Sequence, residues 1–180
     1  MPVDPLLPLT LSLAFGVLFL SAACHKLRNV PRFQGILLDY QIMPGVLVPT
    51  AARLLIGAEF AVGMAWFAQL PVAAAVSAIL LTGYTIAISI NLSRGRTYIT
   101  CGCGLTGHAD ETLTLGLIWR NGLLILALGA CGLPTAPRSI GLADYAVAVI
   151  GLVVAMLLYV AASQLLANQA AIQTWRSIDG

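Results

Sequence analysis

Two cysteines one residue apart, Cys101 and Cys103, stand in a glycine-rich run, Cys101-Gly102-Cys103-Gly104, on a short polar stretch between two strongly apolar ones. Two thiols at that spacing can trade electrons as a dithiol/disulfide pair or grip a soft metal. Gly102, Gly104 and Gly107 let the backbone take the sharp, left-handed turns that a tight Cys-x-Cys ring needs. Attack on a disulfide requires a thiolate, and a thiol ionises more readily beside cations or a helix N-terminus. Arg94, Arg96 and His108 supply positive charge nearby, and the apolar span that follows supplies the dipole. The bland alternative is two small residues in a Gly-rich loop, because Cys-x-Cys is less diagnostic than Cys-x-x-Cys.

Other reactive side chains cluster around this run in sequence or by topology. Cys24 is a candidate relay thiol, or simply a small residue at a helix end. His25 and His108 could tune thiols. A metal cluster can be drawn from Cys24, His25, Cys101, Cys103 and His108, but its spacing matches no standard zinc pattern, so no metal is expected. Charges inside apolar spans are expensive and count as functional. Three qualify: Arg53, Glu59 and Arg120, the last beside Trp119 and Asn121. Arg53 and Glu59 are about 240° apart around a helix, too far to pair. Arg120 would lie roughly 12 Å deep and Glu59 roughly 20 Å, at 1.5 Å per residue. An inward-reaching Arg120 could then meet Glu59, while Arg53 snorkels to the interface. A polar pocket beneath the cysteine run is expected, with Tyr84, Asn91 and Trp119 as lining able to receive a quinone ring; plain aromatic packing is the alternative.

The elements that must hold these groups are membrane helices. Of 180 residues, 59% are hydrophobic and 9% charged, with mean hydropathy +0.94. A soluble domain carries about 25% charged residues, so the chain reads as all-α, a polytopic helical membrane protein forming one domain over 1–180. The net charge of +2 and the absence of a basic run exclude nucleic-acid binding. A span needs about 20 apolar residues. Five stretches qualify: about 6–24, 46–69, 71–92, 112–131 and 140–166. The first lacks a basic flank and a cleavage site, so it is expected to be retained. Between Pro31 and Pro44, Phe33, Ile36, Leu37 and Tyr40 alternate with Arg32, Gln34 and Asp39. That pattern is a short amphipathic helix lying in the interface.

Five spans place 25–44 and 93–111 on one side, so Cys24 shares a face with Cys101 and Cys103, and Cys131 falls on the other. Lys26, Arg28, Arg32, Arg94 and Arg96 flank the cysteine face, and Arg138 alone the other. The positive-inside rule puts that face in the cytoplasm. A stable disulfide favours the oxidising outside.

Taken together, His25-Lys26-Leu27, the Tyr40 to Pro44 stretch, Glu59, Asn91-Leu92-Ser93-Arg94-Gly95-Arg96, Cys101-Gly102-Cys103-Gly104 and Arg120-Asn121 resemble the methylamine utilisation protein MauE family. The resemblance covers nearly the whole chain; Gly104-Leu105 departs from a family form with an aromatic residue in that loop. The family is similar in turn to DoxX-type proteins and to the vitamin K epoxide reductase bundle. The resemblance implies a maturation factor of the bacterial inner membrane, needed to make the disulfide-rich small subunit of periplasmic methylamine dehydrogenase. It also implies a companion, MauD, a membrane-anchored thioredoxin-like protein. Carried over, Cys101 and Cys103 would be the redox pair, Cys24 a relay, and Glu59 with Arg120 the buried polar support.

A periplasmic client requires the cysteine face outside, against the charge count, and the interfacial 25–44 segment can keep its basic residues at lipid headgroups. The resulting expectation is a thiol-disulfide oxidoreductase, with a lipid-borne quinone as candidate electron acceptor. Two rivals stand beside it: a non-enzymatic anchor that docks MauD beside its client, and a small transporter using Arg53, Glu59 and Arg120.

Overall fold

The computed structural model describes residues 3–97, 99 and 113–176. Six helices follow one another: α1 (Leu6–Arg28), α2 (Val30–Tyr40), α3 (Val48–Phe67), α4 (Val72–Ser93), α5 (Leu115–Cys131) and α6 (Leu142–Arg176). The described residues contain no strand, only one isolated bridge between Val3 and Thr135. The all-helical expectation is met. Four helices are long and apolar enough to cross a membrane, and α5 is a shorter apolar helix of 17 residues. At 1.5 Å per residue α5 is about 26 Å long, at the low end of what spans a bilayer. The chain is a multi-pass membrane protein.

The largest differences from the sequence expectation are at two helix ends. α1 runs on to Arg28, one turn past the apolar stretch, and so draws His25 and Lys26 into the helix. α6 continues to Arg176, well beyond 166. Asn29 then separates α1 from α2; its side chain accepts from the Arg32 backbone N–H at 3.1 Å, capping α2, and Pro31 sits in the first turn. α2 closes at Gln41, whose left-handed backbone (φ 47°) ends the helix and turns the chain toward α3.

α1 is the central helix, and it meets α3 in antiparallel register. Ser12 approaches Gln69, Phe15 stacks on Trp66 with ring centroids 5.4 Å apart, Leu20 meets Gly63, and Lys26 meets Glu59. Small residues permit this closeness, as they do where lipid supplies no hydrophobic drive between helices. A Cβ on Gly63 would stand 2.6 Å from Leu20 Cγ, and one on Gly16 2.9 Å from the Phe67 ring. α6 packs along α1 the same way: a Cβ on Gly151 would lie 2.9 Å from Thr10 Cγ2. Trp66 Nε1 donates to Ser77 Oγ at 2.9 Å, tying α3 to α4.

Contacts at the two ends fix which loops share a side. At one end Val3 N donates to Pro134 O at 2.9 Å, Ala136 N to Val3 O at 2.8 Å, and Arg138 pairs with Asp4 and Asp144. At the other, Arg94 donates to the Gln41 carbonyl at 3.3 Å and Arg96 to Gln41 Oε1 at 2.6 Å. The segment after α2 and the segment after α4 therefore lie together, as the span count requires. Cys131, at the end of α5, belongs to the opposite end from Cys24.

Candidate functional site

An internal cavity lies among the helices, and the ion pair that lines it joins Lys26 to Glu59. Lys26 Nζ lies 2.5 and 2.7 Å from the two Glu59 carboxylate oxygens, and Tyr84 donates its hydroxyl to Glu59 Oε1 at 2.6 Å. Lys26 is 5% exposed and Glu59 1%. The meeting follows from helix geometry. Side chains lean toward the N-terminus of their own helix; on antiparallel α1 and α3, Lys26 leans into the bundle and Glu59 leans back toward it. The Lys26 ammonium also lies 5.3 Å from the Phe33 ring centroid and 5.5 Å from that of Tyr84, within cation–π range. α2 thus covers the pair with an aromatic ring.

Arg120 does not take Glu59 as its partner. Its Nη1 donates to Ser163 Oγ at 3.2 Å, and its guanidinium lies 5.4 Å from the Tyr159 ring centroid, both on α6. The sequence reading treated Lys26 as a flanking charge, and the structure makes it an interior one. A signal was present in the sequence. Phe15, Phe19 and Ala23 recur at helical spacing, and Lys26 is the next position on that stripe. Ser163 and Tyr159 carried no comparable signal, since hydroxyls on an apolar helix are common.

These groups line one cavity of ≈ 410 Å³. Its polar lining is Lys26, Glu59, Tyr84, Arg120 and Asn121, joined by the tyrosines Tyr40 and Tyr159, and the rest of its wall is apolar, from Phe19 and Phe33 to Leu124. Among the remaining expected site residues, Arg53 is exposed on α3, as snorkelling requires, and does not line the cavity. A transporter site built from Arg53, Glu59 and Arg120 together is therefore not assembled. Trp119 is 75% exposed and faces outward, because it precedes Arg120 by one position and is rotated about 100° from it. Asn91 is fully buried but lies outside the lining; its amide donates to the Ala87 carbonyl at 3.1 Å. Of the three residues expected around a quinone, only Tyr84 lines the cavity.

Cys24 is exposed on α1 with a free thiol, and His25 beside it is half-buried. Cys101, Cys103 and His108 lie outside the described residues. The stems of their loop are described. Leu113 N donates to Ile99 O at 3.2 Å, and both side chains are buried with Tyr40, Ile88 and Leu117. Burial pushes the Tyr40 phenol above its ordinary range, so it stays neutral. The cysteine loop is thus pinned at its base to the end of the bundle, on the face covered by α2, and Tyr40 and Ile88 belong both to that base and to the cavity wall.

A multi-pass helical bundle with a buried Lys26–Glu59 ion pair lining an internal cavity defines the class. Residues 4–134 match the family model described as methylamine utilisation protein MauE. The chain is similar to methylamine utilization protein MauE of Paracoccus denitrificans, 36% identical over 178 residues, covering 96% of this chain and 93% of that protein. It is 38% identical over 159 residues to the MauE of Methylorubrum extorquens, covering 84% and 83%. No solved structure matches. The chain belongs to the MauE family, whose members are named for methylamine utilisation.

Proposed function

We propose that this protein is a membrane thiol-disulfide exchange factor that supports disulfide formation in the methylamine dehydrogenase small subunit, acting with a MauD-like thioredoxin-fold partner. The observation that carries this reading is the pinned loop: Ile99 and Leu113 close its base on the bundle, and the intervening chain carries Cys101-Gly102-Cys103. A reactive pair on a short, anchored loop at a membrane surface suits encounter with a membrane-tethered partner.

The exchange proceeds in two displacements. A partner thiolate attacks one sulfur of a Cys101–Cys103 disulfide and expels the other as thiolate, giving a mixed disulfide. The partner's second thiolate then attacks its own bridged sulfur. The partner leaves oxidised, and Cys101 and Cys103 are left as the dithiol. Two electrons have moved from the partner to the loop, and the partner's two thiol protons have passed by way of solvent to the Cys101 and Cys103 thiolates. Exposed Cys24 on α1 is a candidate relay for the same electrons.

The reading places this loop on the periplasmic side of the inner membrane. Burial of Lys26 against Glu59 supports it, because that lysine no longer counts among the surface charges that favour a cytoplasmic face. Arg94 and Arg96, bonded to Gln41, gather at the interface around the end of α2.

The test reconstitutes the full chain in lipid with a reduced MauD-like partner and follows partner thiols by alkylation. Cys101→Ser and Cys103→Ser are each expected to lower partner oxidation by at least a hundredfold, with Cys24→Ser smaller in effect. Normal oxidation by the Cys101→Ser/Cys103→Ser double variant would remove the proposal. Normal client maturation with all four cysteines replaced would favour a non-enzymatic anchor.

A further inference from the structure

The side chains that line the cavity carry two cationic groups, Lys26 and Arg120, and one carboxylate, Glu59. Lys26 spends its ammonium on both Glu59 oxygens, at 2.5 and 2.7 Å, and Tyr84 donates to the same carboxylate. The lining therefore holds one positive charge in excess, and Arg120 carries it. A net charge facing an apolar interior is costly, and an anion beside it removes much of the cost. Arg120 is suited to hold one. Its contacts on α6 are with the Ser163 hydroxyl and the Tyr159 ring. A guanidinium is a planar fork of five N–H donors that matches a carboxylate, so it can take one while keeping those contacts.

The rest of the lining describes the rest of the ligand. Phe19, Leu81, Ile88 and Leu124 belong to a wall that suits a hydrocarbon chain and offers nothing to a second charge. The cavity, ≈ 410 Å³, falls within the roughly 300–1,000 Å³ usual for small-molecule sites. That is room for one chain rather than for a two-chain phospholipid with its headgroup. Entry is from the side. Ile79, 70% exposed, and Gly83, also exposed, stand one turn apart near the middle of α4, and both line the cavity. Residues exposed halfway along a spanning helix face lipid, so a ligand reaches this opening from the hydrocarbon layer.

We infer that this cavity binds a single-chain lipid carboxylate, the anion of a free fatty acid, with its head on Arg120 and its chain along the apolar wall toward the opening at Ile79 and Gly83. The guanidinium keeps the bound acid ionised, since an opposite charge favours the charged form. Neither Cys101 nor Cys103 takes part, so the site is separate from the exchange reaction.

The experiment places the full chain in nanodiscs with palmitate carrying a diazirine midway along its chain, irradiates, and maps labelled residues by mass spectrometry. Labelling of cavity-lining residues is expected. Excess unlabelled palmitate should reduce it at least tenfold, and hexadecanol, which shares the chain and lacks the charge, less than twofold. Arg120→Gln and Gly83→Phe should each lower it at least tenfold. The second variant guards against misfolding, since a Cβ on Gly83 meets nothing within 4 Å and the substitution obstructs only the opening. The Cys101→Ser/Cys103→Ser variant should label like the parent chain. Equal competition by hexadecanol would make the site a plain hydrocarbon pocket, and stronger competition by phosphatidylglycerol would assign it to phospholipid. Labelling confined to the outer helix faces, or parent-like labelling of both cavity variants, would leave no site in the cavity. Any of these overturns the inference, as would loss of labelling in the cysteine variant.

Discussion

The two halves of the bundle are held together by different chemistry. Toward the N-terminal end of α1, the α1–α3 seam is dry and close. Phe15 lies on Trp66, Leu20 presses on Gly63, and Phe67 fills the space beside Gly16. Its polar groups are few and matched, as with Trp66 and Ser77. Toward the far end the same two helices meet through Lys26 and Glu59, Phe33 of α2 lies over the ammonium, and a cavity lined also by residues of α4, α5 and α6 opens beside the pair. Close packing needs only small residues at a crossing. A buried ion pair beside empty volume needs every neighbour to cooperate, and it confers less stability than apolar residues of the same size would. The first half is therefore structure, and the second has the features of a site.

The largest effect that would break this contrast comes from parting the ion pair. Lys26→Met leaves the Glu59 carboxylate buried with only Tyr84 to satisfy it. Removing one partner of a buried pair costs about 3–5 kcal/mol. The apparent melting temperature in detergent should fall accordingly, and the double change Lys26→Met/Glu59→Leu should recover most of the loss. If the single change leaves stability untouched, Lys26 is a surface charge after all and the polar half is not a built site.

Lys26 also shows where the sequence could be read and where it could not. Composition and span length sufficed for the all-helical membrane class, and the Pro31 to Pro44 pattern sufficed for α2, because lipid forces backbone groups to bond within helices. Glu59 and Arg120 were recognisable as interior groups from hydropathy alone. Their partners were not, because pairing depends on how far α1 continues past its apolar stretch. That continuation arises from tertiary contacts: Phe33 on α2 shelters a helical turn which, judged by composition, belongs in water. Asn121, marked in the sequence only as a neighbour of Arg120, lines the cavity, whereas Trp119 was expected there by adjacency in sequence, which on a helix means the opposite of adjacency in space.

A smaller effect is expected in the dry half. Gly63→Leu drives a side chain into Leu20, whose Cγ already stands 2.6 Å from where a Cβ would be. Overpacking of this kind costs about 1–3 kcal/mol. The loss should appear in thermal unfolding while partner oxidation per folded molecule stays unchanged, because Gly63 does not line the cavity. Loss of oxidation in the folded fraction would mean that the two halves are coupled through α1 and behave as a single rigid unit.

The smallest effect is assigned to the residue that looks most conspicuous. Trp119 is large, aromatic and next to Arg120, and by type it invites a role in a ring-binding pocket. Its outward position says otherwise: Trp119, Leu115, Leu123 and Leu126 are all strongly exposed along α5, a continuous apolar stripe for lipid. Trp119→Leu should change stability by less than about 0.5 kcal/mol, as exposed substitutions usually do. Partner oxidation should likewise remain within twofold of the parent chain. A larger loss in either measurement would place Trp119 against a protein neighbour rather than lipid, and the stripe along α5 would then be an interface.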